Sequence, residues 1–122
     1  MNNFKELILK ASSNINDSYF NTVVLPVALH AVSSMSDQDI ANANKLISSF
    51  NFNLMNYTYD MLIFRANFDT DCNIYLRIGV YKSSSTVFYD LDIALNKKYI
   101  FTRRANTFEG VYAPFLEFLE TT

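Results

Sequence analysis

From Ile74 to Lys82 the side chains alternate with a period of two, and this constrains the fold more than any other feature. Ile74, Leu76, Ile78 and Val80 fall on one side, Tyr75, Arg77, Gly79 and Tyr81 on the other. Such a pattern describes a strand with one face buried. It recurs on both flanks. Downstream, Tyr89, Leu91 and Ile93 oppose Phe88, Asp90 and Asp92; upstream, Leu62, Phe64, Ala66 and Phe68 oppose Tyr57, Tyr59, Met61, Ile63 and Arg65. A shorter run follows from Tyr99 to Arg103. The connections, Asp69 to Cys72, Lys82 to Thr86 and Asn96-Lys97, are polar turn material. The stretch from Leu54 to Arg103 therefore predicts an antiparallel meander of three to four strands.

Register follows from keeping the apolar faces together, because a slip of one residue sends every core side chain to solvent. Pairing Tyr81 with Phe88 sets Arg77 opposite Asp92, Ile78 opposite Leu91 and Leu76 opposite Ile93. Pairing Leu95 with Lys98 sets Asp90 opposite Arg103, Asp92 opposite Phe101 and Ile93 opposite Ile100. One face is then aliphatic, from Leu62, Phe64 and Ala66 through Ile74, Leu76, Ile78 and Val80 to Leu91, Ile93 and Ile100. The other mixes aromatic rings with charge: Tyr57, Tyr59, Arg65, Tyr75, Arg77, Tyr81, Phe88, Asp90, Asp92, Tyr99, Phe101 and Arg103.

Outside the meander the periodicity changes to that of helices. Phe4, Leu7, Ile8, Ala11 and Ile15 mark an amphipathic helix from Asn3 to Ser13. The segment Ser18 to Ser34 is apolar nearly all round and is expected to be buried on most sides. Pro26, which lacks an N–H, is placed in the first turn of a short helix, Val27 to Ser34, after a break near Leu25. Ser36 followed by Asp39 resembles a capping box opening a helix from Asp37 to Phe50. After Arg104, Asn106 is expected to cap a last helix in which Phe108, Val111, Tyr112, Phe115, Leu116 and Leu119 recur at helical spacing, with Pro114 expected to kink it or split it in two. The expected fold class is α+β, with two or three N-terminal helices, the meander and a C-terminal helix.

A chain of 122 residues with half of them hydrophobic can bury a sizeable core and is expected to form one domain, residues 1–122. Its formal charge of −2, from 10 basic and 12 acidic residues, argues against a phosphate-backbone binder and against a strongly acidic nucleic-acid mimic. Lys5, Glu6 and Lys10 interrupt the first apolar residues of the chain, which are therefore not expected to act as a secretory signal. Its longest near-apolar run, Val23 to Val32, is far short of the ~20 residues that span a bilayer, so no membrane association is expected. Cys72 is the only cysteine, which suits a reducing compartment and a cytoplasmic location.

Candidate chemistry is sparse. His30 is the only histidine, set in an apolar segment where a buried ring bonded to the backbone is expected, not a base paired with Cys72. Asp69, Asp71 and Cys72 share a loop, but the spacing fails as an EF-hand and the chain has too few Cys and His for zinc. Asp90 and Asp92 are the only carboxylates sharing a strand face; register makes them ion-pair partners of Arg103 and Arg77 in preference to an acid–base dyad. With only Gly79 and Gly110, no phosphate-cradling loop exists. No cofactor is expected. The mixed face is rich in Tyr and Arg, the residue types enriched at binding hot spots. The expected function is thus a small non-enzymatic protein-interaction module, of inhibitor, immunity or antitoxin, or chaperone type, whose partner is another protein. A homodimer through the same face is a competing expectation. The alternative is a small-molecule-binding domain or enzyme with a polar cleft between helices and sheet.

Overall fold

The computed structural model describes residues 1–58 and 60–121. Helices α1 (Asn3–Ser12), α2 (Leu25–Ser33) and α3 (Asp37–Ser49) precede strands β1 (Asn53–Thr58), β2 (Met61–Asp69), β3 (Cys72–Val80), β4 (Val87–Leu95) and β5 (Lys98–Ala105), and α4 (Phe108–Thr121) closes the chain. The five strands form one antiparallel sheet in chain order. The α+β architecture is as the patterning predicts. The strand count is higher, because the run expected to start at Tyr57 is split by a tight hairpin after Thr58. There Asp60 bonds the Thr58 hydroxyl through its side chain and accepts Val80 N–H through its carbonyl.

Helix ends obey local chemistry. Ser36 Oγ accepts Asp39 N–H at 3.1 Å, the expected N-cap of α3. At α4 the cap is not Asn106, whose amide instead donates to the Val87 carbonyl; Thr107 Oγ1 accepts Gly110 N–H at 3.2 Å. The break expected near Leu25 is absent. Phe20–Val24 forms a π-helical turn that runs directly into α2. Because Pro26 has no N–H to donate, the ladder changes spacing just ahead of it, and the chain stays helical through Leu25. α2 packs against α1, β3 and β4, yet only its Ala28 and Val32 are buried; His30 is exposed, contrary to expectation.

All four helices cover the aliphatic face of the sheet. Phe4 and Phe108 meet Tyr89 at ring separations of 6.3 and 6.0 Å, Phe115 meets Phe101 at 6.1 Å, and Phe20 meets Tyr57 at 6.2 Å. Leu62, Phe64, Ala66, Ile74, Leu76, Ile78, Leu91 and Ile93 join Phe4, Ile8, Phe20, Val32, Leu46, Val111 and Phe115 in one buried cluster. Burial of this kind, at about 25 cal/mol per Å² of apolar surface, is the main force holding the layers together. Ile63, Phe88 and Ala94 are also buried but stand outside that cluster, on the opposite face.

Two bulges re-aim the edge strands. In β1, register shifts between Leu54 and Asn56, so Tyr57 pairs with Leu62 and lies on the helix-covered face, not the mixed one. In β5, the pairs are Ala94 with Tyr99 and then Ile93 with Phe101, leaving Ile100 as the extra residue. Side chains after the bulge change face. The β4–β5 turn is as expected: Leu95 pairs with Lys98, and Asn96 and Lys97 both have positive φ, as a two-residue type I′ turn requires.

Candidate functional site

The face of the sheet turned away from the helices carries most of the residues the sequence singles out, but not all. Arg65, Tyr75, Arg77, Tyr81, Phe88, Asp90, Asp92 and Tyr99 belong to it by register. Phe101 and Arg103 do not. The bulge at Ile100 puts Phe101 opposite Ile93 and Arg103 opposite Leu91, so Phe101 packs against Phe115 and Phe118 of α4. Ile100, expected in the core, is exposed. Tyr59 lies outside the described residues.

The β3–β4 register is displaced by two residues from the expected one. Gly79 pairs with Phe88, Arg77 with Asp90, and Tyr75 with Asp92. A shift of two leaves every side chain on its original face, so the two faces survive while the partners change. Arg77 still reaches Asp92, diagonally, by a hydrogen-bonded ion pair, and its second terminal nitrogen donates to the Tyr99 hydroxyl at 3.3 Å. Asp90 is held not by Arg103 but by Arg104. Arg104 Nε donates to one carboxylate oxygen at 2.7 Å and Nη2 to the other at 2.8 Å, a bidentate fork. Arg104 and Thr102 are the residues that sequence reasoning misses here. The available signal was the adjacent apolar pair Ile100-Phe101, which breaks strict alternation and marks a bulge.

Ring stacking completes the surface. The Arg104 guanidinium lies 4.1 Å from the centroid of Phe88 and 5.9 Å from that of Tyr81, and the Tyr81 and Phe88 rings are 4.8 Å apart. Phe88 in turn lies over Gly79: a Cβ added there would meet the Phe88 ring and, at 2.8 Å, the backbone carbonyl of Asp60. Glycine is needed for that close approach. At the other end Tyr75 and Tyr99 rings are 6.0 Å apart, with Arg77 5.1 Å from the Tyr75 centroid.

The two carboxylates sit low in this layer. Asp90 and Asp92 side chains are 9% and 8% exposed, beneath Arg104 at 45% and Arg77 at 16%. Burial pushes the Asp92 carboxyl up to about 6, with Arg77 pulling the other way and Asp90 adding to the rise. Arg104 is raised by its hydrogen bonds to Asp90, so it stays charged. Elsewhere, burial and the nearby Asp69 raise the Cys72 thiol, which disfavours the thiolate that nucleophilic chemistry needs. Tyr89, in the core, is pushed up to about 12 by burial and then by Asp39. Among the described residues, no three His, Cys, Asp or Glu side chains come together as metal ligands, and no helix is long and apolar enough to cross a membrane.

The chain matches no protein-family model, no curated protein and no solved structure.

Proposed function

We propose that this chain is a non-enzymatic interaction module of the cytosol that binds another protein through the sheet face opposite its helices. One observation carries the reading: that face is left uncovered by the four helices and presents Tyr75, Tyr81 and Tyr99 with Arg65, Arg77 and Arg104. Tyrosine and arginine bring large contact area and several donors at low ordering cost, which is why they dominate hot spots. Here two of the three arginines are fixed in advance. Arg104 is locked by its fork to Asp90 and by Phe88, and Arg77 by Asp92 and Tyr75, so little freedom is lost when a partner docks.

The rival reading, an enzyme using Asp90 and Asp92, is weakened by the same contacts. Asp90 spends both carboxylate oxygens on Arg104, and Asp92 gives one of its oxygens to Arg77. A general acid or base must instead reach a substrate proton.

The test compares two double variants of the full chain, Arg65→Ala/Tyr99→Ala on the open face and Leu9→Ala/Lys45→Ala on the helices. These positions are exposed or half-buried, so both should melt like wild type. A protein that co-purifies in stoichiometric amount from native cells should be retained by the helix variant and lost by the face variant. Equal retention by both, or loss only with the helix variant, refutes the proposal.

A further inference from the structure

We infer that the partner meets this face with an acidic protein surface; the inference rests on the interaction reading above. The whole chain is acidic, but its charge is divided by layer. Between Asn53 and Ala105 there are seven basic and five acidic residues; outside that stretch there are three basic and seven acidic. The sheet thus carries a formal +2 and the helical parts −4.

Height within the open face sharpens the asymmetry. Its two acids lie beneath its arginines, with Asp90 and Asp92 almost fully covered while Arg104 is 45% exposed and Arg65 stands in solvent. An approaching molecule therefore meets guanidinium groups and tyrosine hydroxyls before it senses any carboxylate. Asp90 takes two of the five N–H groups of Arg104 and Tyr81 also engages the guanidinium, while the side chain stays 45% exposed. Thr102, exposed and opposite Asp92, adds a hydroxyl on the same face. Aspartate or glutamate side chains are the protein groups that satisfy such an array in pairs. The acidic helical layer on the far side makes the molecule dipolar, which turns the open face toward an anionic partner during encounter.

Nucleic acid fits less well. Backbone binding requires many phosphates neutralised at once, whereas here two carboxylates already offset two of the three arginines. Base stacking requires flat exposed rings, and Tyr75 and Tyr99 are tilted at 57° against each other.

The test is a randomised displayed-peptide library selected against the full chain, with binders sorted by their loss on Arg65→Glu/Thr102→Glu. Both positions are exposed, and a circular-dichroism melt confirms folding of the variant. Face-dependent binders should be several-fold enriched in Asp and Glu, should weaken about tenfold as salt is raised through the physiological range, and should still bind Arg65→Lys. Face-dependent binders of neutral or basic composition overturn the acidic-partner inference while the interaction reading stands. If no binder depends on the face, both fall. Tighter face-dependent binding of a single-stranded oligonucleotide, or self-association that disappears in the face variant, also overturns the inference, in favour of nucleic acid or a second copy.

Discussion

Asp92 offers a case in which two large effects oppose each other and one must win. Its ion pair with Arg77 favours the carboxylate, and its burial disfavours it. Burial is the larger, and the group titrates near 6 instead of its ordinary 3.8. A carboxyl that holds its proton more tightly when folded favours the folded chain at low pH. That advantage is complete below about pH 4 and is lost as pH rises through about 6. A shift of roughly two pH units corresponds to about 3 kcal/mol. Replacing Asp92 with Asn removes the titration but keeps the shape. The quantity to measure is the unfolding free energy of both chains by urea denaturation, between about pH 4 and about pH 7. Relative to wild type, Asp92→Asn should become more stable by about 3 kcal/mol across that window. Asp39, raised by burial and by Glu109, moves both curves alike and drops out of the difference. A difference that stays flat, or that turns against the variant as pH rises, would mean that the Arg77 pair cancels or outweighs desolvation and that the reasoning is wrong.

Further consequences can be checked by the same melts at neutral pH. Arg104→Ala leaves Asp90 buried without its fork and should cost about 2 kcal/mol, softened because water reaches the site past a half-exposed arginine. Arg103→Ala, one residue away on the other side of the strand, should stay within about 0.5 kcal/mol; the reverse order would refute the bulge at Ile100. Gly79→Ala drives a methyl into the Phe88 ring and the Asp60 carbonyl and should destabilise by about 1–3 kcal/mol. Ser36→Ala removes the cap of α3 and should cost about 1 kcal/mol, read as a lower Tm.

Strand patterning made the two faces of β2, β3 and β4 legible, because burial selects every second side chain. Partner identity was less so. A two-residue displacement preserves those faces, so the hydrophobic pattern could not distinguish Phe88 opposite Tyr81 from Phe88 opposite Gly79. The bulges were harder still. Each inserts one residue and exchanges the faces beyond it, which carried Tyr57, Phe101 and Arg103 off the open face and brought Arg104 onto it. The β1–β2 hairpin lacks the Gly or Pro that usually marks a turn, so its two strands read as one. His30 shows the limit of composition: an apolar segment suggested burial, yet a helix packed along one side buries only a narrow stripe, here Ala28 and Val32.

The most direct test of the account is hydroxyl-radical footprinting of the chain, alone and in native extract containing its partner. Alone, Tyr81 and Tyr99 on the open face should be oxidised readily, and Tyr89 in the core should not. In extract, Tyr75, Tyr81 and Tyr99 should become protected while Leu9 on α1 keeps its reactivity. Protection confined to the helices, or an open face already shielded in the isolated monomer, would contradict the claim that this face is the binding surface.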